Sequence, residues 1–102
     1  MYSLEYLPAA KQDMTDIARY IGRELANPAA AEKLAVEMTE AADRLVDFPY
    51  ACPAYHPIRP LKQEYRRLLV RNYILFYYVD EARKRVTVAR VIYARRDYDK
   101  LL

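Results

Sequence analysis

The chain has 102 residues, 54% of them apolar, with one cysteine, one histidine and a net charge of +3. That length fits a single domain, residues 1–102, with a core of its own. One cysteine excludes an internal disulfide and favours a reducing compartment; Cys52 and His56 are too few for a zinc site of about three or four ligands. No basic segment followed by an apolar core opens the chain. The longest apolar run, residues 73–79, is far short of the roughly 20 residues a membrane helix needs. A cytoplasmic protein without membrane contact is expected.

Residues 2–7 alternate apolar and polar side chains, which predicts a short strand. Pro8 stops that ladder and suits a first helical position, where its missing N–H costs nothing. Met14, Ile17, Ala18, Ile21 and Leu25 then recur at helical spacing. Asn27-Pro28 ends this helix and starts the next, Asn27 as cap and Pro28 in the first turn. The second helix carries a seam of Leu34, Met38, Ala41, Leu45 and Phe48, and Phe48-Pro49 closes it. So short a connection makes an antiparallel αα-hairpin with an acidic outer face. Residues 50–63 form a proline-rich loop, with Pro53, Pro57 and Pro60.

Three strands are expected next, at residues 65–70, 73–79 and 85–94, joined by reversals at Arg71-Asn72 and at residues 80–84. By simple alternation Val86, Val88, Arg90 and Ile92 share one face of the last strand; Ala89, Val91 and Tyr93 share the other. Both faces are mostly apolar, as in a strand covered on two sides. The helices can cover one face. The other needs the tail, residues 97–102, or a partner. The fold class is α+β: an N-terminal strand, an antiparallel αα-hairpin packed on a mainly antiparallel sheet (β-α-α-β-β-β), and a short C-terminal helix.

Charge is segregated. Residues 1–50 hold five Lys/Arg against nine Asp/Glu, or −4; residues 51–102 hold 12 against five, or +7. Such a basic half predicts an acidic partner, nucleic acid or protein. The one glycine, Gly22, sits inside a helix, so no phosphate-cradling loop exists. Ser3, His56 and an acid would meet as a triad only by distant coincidence. Cys52, with no basic neighbour or helix N-terminus beside it, reads as an apolar filler. Arginine and tyrosine remain. Arginine clamps phosphate oxygens in pairs and stabilises a phosphorane-like transition state. Tyrosine stacks on bases, or trades a proton if nearby cations lower its pKa. Within the pairs Arg66/Arg67 and Arg95/Arg96, alternation sends one member away from the other. Tyr73, Phe76 and Tyr77, inside an apolar strand, read as core before base-stacking platform.

YLPAAKQDMTDIARYI, a second helix ending in RLVDFP, then RRLLVRNYILFYYVDE and VTVARVIYARRDYDKLL resemble the RelE/ParE superfamily of bacterial toxins over nearly the whole chain. The resemblance implies a toxin encoded beside a cognate, acidic antitoxin that wraps and neutralises it, its oligomeric state set by that complex. RelE-like members cleave mRNA on the ribosome; YoeB-like members add a catalytic Glu and His; ParE-like members poison DNA gyrase. A RelE-like reading implies catalytic roles for Arg67, Arg71, Tyr93, Arg95 and Tyr98. Target binding is expected to use Arg66, Arg90 and Arg96 on either reading, with no cofactor or metal. Two departures weaken the nuclease pattern: Tyr93 stands where many relatives carry histidine, and Ile74 follows Tyr73 where an arginine is expected. The leading expectation is therefore a growth-inhibiting toxin of the gyrase-poisoning kind. The alternatives are a metal-independent mRNA endonuclease and a nonenzymatic single-strand nucleic-acid binder.

Overall fold

The computed structural model describes residues 1–57 and 61–102; Pro60 of the proline-rich loop lies outside the described residues. Strand β1 (Ser3–Tyr6) leads into helix α1 (Pro8–Arg19), whose end widens into a π-turn (Tyr20–Glu24). Helix α2 (Pro28–Arg44) follows, then β2 (Arg66–Val70), β3 (Tyr73–Asp80), β4 (Arg85–Tyr93) and a 3-10 turn (Tyr98–Lys100). The sheet order is β1-β4-β3-β2, with β1 parallel to β4 and the other pairs antiparallel. This is the expected α+β architecture, two helices on one mixed sheet. Among the described residues no helix is long and apolar enough to cross a membrane.

Local chemistry accounts for the helices. Pro8 and Pro28 each open one, and the Asn27 side chain accepts the Ala30 N–H at 3.1 Å, satisfying a donor that has no partner within the helix. Ala10, Leu34, Met38, Ala41, Ala42 and Leu45 are buried against Val70, Leu75, Tyr77, Val86, Val88 and Val91 of the sheet. Three residues of the expected seams are not in that core: Ala18 is half-buried outside it, and Leu25 and Phe48 are exposed. The Leu25 N–H bonds to the Tyr20 carbonyl, five residues back; this wider turn carries Leu25 off the line of Ile21 and leaves it 56% exposed. Past Arg44, the N–H groups of Leu45, Val46 and Asp47 bond three residues back. That tightening turns Phe48 out to solvent, 68% exposed.

The last strand departs from simple alternation as well. Phe76 pairs with Arg90 but Tyr77 pairs with Val88, so Ala89 is the extra residue of a β-bulge. Val86 and Val88 therefore face the helices together with Val91, whereas Ile92 joins Ile74 and Phe76 on the opposite face. The expectation that Val86, Val88, Arg90 and Ile92 share a face is corrected: one inserted residue inverts everything after it. The second face is closed by Tyr55, Tyr65, Ala94, Tyr98, Leu101 and Leu102, so the tail does act as its cover. Phe76 and Tyr77 are fully buried, and the Tyr77 hydroxyl donates to the Pro49 carbonyl at 2.9 Å. They are core.

Candidate functional site

β1 ends opposite Val88, while β4 runs on to Tyr93. Where β4 outruns its neighbour, a cleft of about 1040 Å³ opens between the helices and the sheet. Its apolar wall is Ile17, Ile21, Leu25 and Leu34; its other wall is Arg71–Tyr73 and Arg90–Tyr93. The exposed edge of β4 is partly satisfied from α1. The Asp13 carboxylate accepts the Val91 N–H at 2.9 Å and the Nε and Nη2 of Arg90 at 2.7 and 3.0 Å. Arg90 also donates to the Leu101 carbonyl at 2.9 Å, reaching the tail on the far side. Its pKa is raised by the Asp13 hydrogen bonds.

At the outer rim Arg71 occupies the β2–β3 turn with φ 55°, a left-handed conformation uncommon for a side chain of this size. Its guanidinium grips Glu37 of α2 through two bonds of 2.7 and 2.8 Å. That contact lowers the Glu37 pKa and raises that of Arg71. Lys33 and Arg96 also line the cleft, and among the described residues neither has an ion-pair partner. Tyr73 and Tyr93 meet edge to face at 5.6 Å, and Tyr20 stands on the helix side of the same opening.

The predicted site residues separate into two groups. Arg71, Tyr93, Arg90 and Arg96 line the cleft. Arg67 and Tyr98 lie on the other face: the guanidinium donates to the Tyr98 hydroxyl at 3.3 Å and sits 5.1 Å from the Tyr55 ring centre. Arg66 turns away from Arg67, donating to the Cys52 carbonyl at 2.6 Å and to Glu64, with the Tyr50 ring 4.9 Å below. Arg95 is exposed beyond the end of β4. Burial raises the pKa of Tyr73, with Tyr93 and Tyr20 adding to the effect. Burial likewise raises the phenols of Tyr6, Tyr65 and Tyr77, and the hydrogen bond to Glu81 raises those of Tyr2 and Tyr50. None of these six is a cation-activated base.

Sequence reasoning missed Asp13, Lys33 and Glu37. Asp13 stands one residue before Met14, at the border of the apolar stripe. Lys33 and Glu37, four apart on the polar side of α2, look like an ordinary solvated pair. The apparent charge segregation is partly internal: Glu5–Arg85 at 3.1 Å, Asp13–Arg90 and Glu37–Arg71 each join the acidic half to the basic half.

Over residues 4–98 the sequence matches the family described as the ParE toxin of type II toxin-antitoxin systems. The fold is similar to that of the chromosomal ParDE system from P. aeruginosa, with a TM-score of 0.75 at 18% identity over 93% of this chain and 98% of that one. It is also similar to the RelBE2 toxin-antitoxin complex from Mycobacterium tuberculosis (0.60, 18%, 90% and 96%). The intact E. coli RelBE complex is a further likeness (0.56, 20%, 94% and 100%). At these identities the likeness is one of fold. No curated protein matches the chain significantly.

Proposed function

Because the chain belongs to the ParE toxin family of type II toxin-antitoxin systems, we propose that it arrests growth by poisoning DNA gyrase and not by cutting mRNA on the ribosome. The observation that carries this reading is the separation of the nuclease set. RNA cleavage through the 2′-hydroxyl needs a base, an acid and charge stabilisation within reach of one phosphate. Here Arg67 and Tyr98 are on one side of the sheet, and Arg71 and Tyr93 on the other. Of the acids lining the cleft, Asp13 and Glu37 are held by Arg90 and Arg71, and Asp16 lies 3.7 Å from Arg19. A cognate acidic antitoxin neutralises the toxin in this reading, meeting the basic groups that no internal acid engages.

The test uses purified protein in two assays, gyrase supercoiling of plasmid and translation by ribosomes programmed with a defined mRNA. Trapped gyrase–DNA cleavage complexes without mRNA cuts are expected. Codon-positioned cuts would overturn the reading. They would favour the RelE-like alternative, for which the Arg67–Tyr98 contact is the specific support; Arg67→Ala should then slow cutting by about tenfold or more.

A further inference from the structure

The bidentate grip of Arg71 on Glu37 has the geometry with which a guanidinium takes two phosphate oxygens. It is made at the rim of an open cleft, by a side chain 59% exposed, on a turn residue held at positive φ. Lys33 and Arg96 stand in the same cleft, neither in an ion pair among the described residues although the charge of Lys33 is felt at Glu37, and Tyr20 and Tyr93 line it too, 53% and 37% exposed. We infer that the cleft rim binds the phosphodiester backbone of a DNA strand through Arg71, Lys33 and Arg96, with Glu37 acting as an internal stand-in for phosphate that the strand displaces.

Three cations in one cleft would hold either phosphates or the carboxylates of a protein. The exposed tyrosines favour DNA, because their ring faces give any base a stacking surface, although a phenol can also donate to a carboxylate, as those of Tyr2 and Tyr50 do to Glu81. Acid on the rim does not oppose the assignment: Asp13 is already spent on Arg90, and Asp16 lies 3.7 Å from Arg19. Glu37 sets the threshold. It lowers affinity for free strands without abolishing it, and a strand whose local concentration is raised by the enzyme carrying it competes best. The inference deepens the gyrase reading, since gyrase presents such DNA.

Anisotropy of a dye-labelled oligothymidylate, titrated with the protein between about 50 and 200 mM salt, tests this directly. Three phosphate contacts predict a log–log salt slope of about −2. Arg71→Ala and Arg96→Ala should each weaken binding on the order of fivefold and flatten the slope by roughly 0.7. Glu37→Gln should tighten binding roughly threefold, because it frees Arg71. All three positions are at the surface, and circular dichroism melts verify folding of each variant. Absence of oligothymidylate binding overturns the inference, as does binding that ignores all three substitutions. So does Arg71-dependent binding of poly-glutamate in place of DNA, which would make the cleft a protein seat. Gyrase trapping that persists without DNA binding sinks this inference alone. DNA binding without gyrase trapping sinks the gyrase reading alone.

Discussion

On the helix side of the sheet, Leu75, Tyr77, Val86 and Val88 lie under two helices and have no exposed surface. On the other side, Ile74, Phe76 and Ile92 are just as well buried, yet their cover is Tyr55 and the few residues of the tail. Equal burial thus comes from unequal lids. Helices are fixed by their own backbone ladders and by each other. The tail is fixed by side chains: Phe76–Tyr98 and Tyr55–Tyr98 ring contacts at 5.2 and 5.6 Å, Arg67 on the Tyr98 hydroxyl, and Arg90 on the Leu101 carbonyl. Solvent exclusion alone does not reveal which face is the stiffer.

Cavity formation separates the two. Leu75 and Phe76 are neighbours on β3 that point to opposite faces. Leu75→Ala leaves a hole under helices that cannot close, and about 4 kcal/mol should be lost. Phe76→Ala removes more volume, but the tail can settle into the space, so about 3 kcal/mol is expected. Urea unfolding checks both. A larger loss for Phe76→Ala would mean that the tail is as unyielding as the helices.

The hinge between the two sides is Asp13–Arg90, which touches α1, β4 and the tail at once. Its side chains are only 16% and 26% exposed. Asp13→Asn strands a half-buried guanidinium and weakens acceptance of the Val91 N–H, at a cost of about 2 kcal/mol, below the range for fully buried pairs. Glu37→Gln, at the exposed rim, should leave stability almost unchanged, because solvent screens the pair. Similar losses for the two would erase the distinction between a structural pair and a displaceable one. Tyr98→Phe gives up one long hydrogen bond, of 3.3 Å, and no more than about 0.5 kcal/mol. It should nevertheless speed amide exchange at residues 98–102 and leave exchange in α1 and α2 unchanged.

Much of this architecture was legible from residue types. The two helix starts, the Asn27 cap, the strand–turn–strand pattern from Arg66 to Tyr93 and the divergence of Arg66 from Arg67 follow from local rules. The misreadings share a cause. Leu25, Phe48 and Ile92 each lie just beyond a change of backbone period: a π-turn, a tightened helix end and a bulge. A periodic pattern carries no mark of the point where one residue is inserted into it. The cleft was illegible for a different reason. Arg71 and Glu37 are 34 positions apart, as Asp13 and Arg90 are 77, and no local pattern encodes which acid meets which arginine. Segregated charge suggested an external partner, whereas part of it is answered inside the fold.

The smallest expected effect probes the end of the sheet away from the cleft. Glu81, in the β3–β4 turn, accepts hydrogen bonds from Lys84, Tyr50 and Tyr2. It thereby ties β1 and the segment after α2 to the hairpin. The Lys84 contact comes first among the causes that bring its pKa from the ordinary 4.5 to about 2, with the two phenols next. A carboxyl whose folded pKa is depressed stabilises the fold above its unfolded pKa, and loses that contribution as pH falls through the folded one. The clamp should therefore be intact above about pH 4.5 and released near pH 2. Because the group is exposed, solvent screens most of the gain, and only a small fall in melting temperature is expected across that window. Glu81→Gln should sit slightly below the parent at neutral pH and converge with it at the acid end. The tail contact Arg67–Tyr98 involves no carboxylate, so acid should speed exchange around Tyr2 and Tyr50 before it does so around Tyr98. Loosening of the tail first would place the weaker lid at the other end of the molecule.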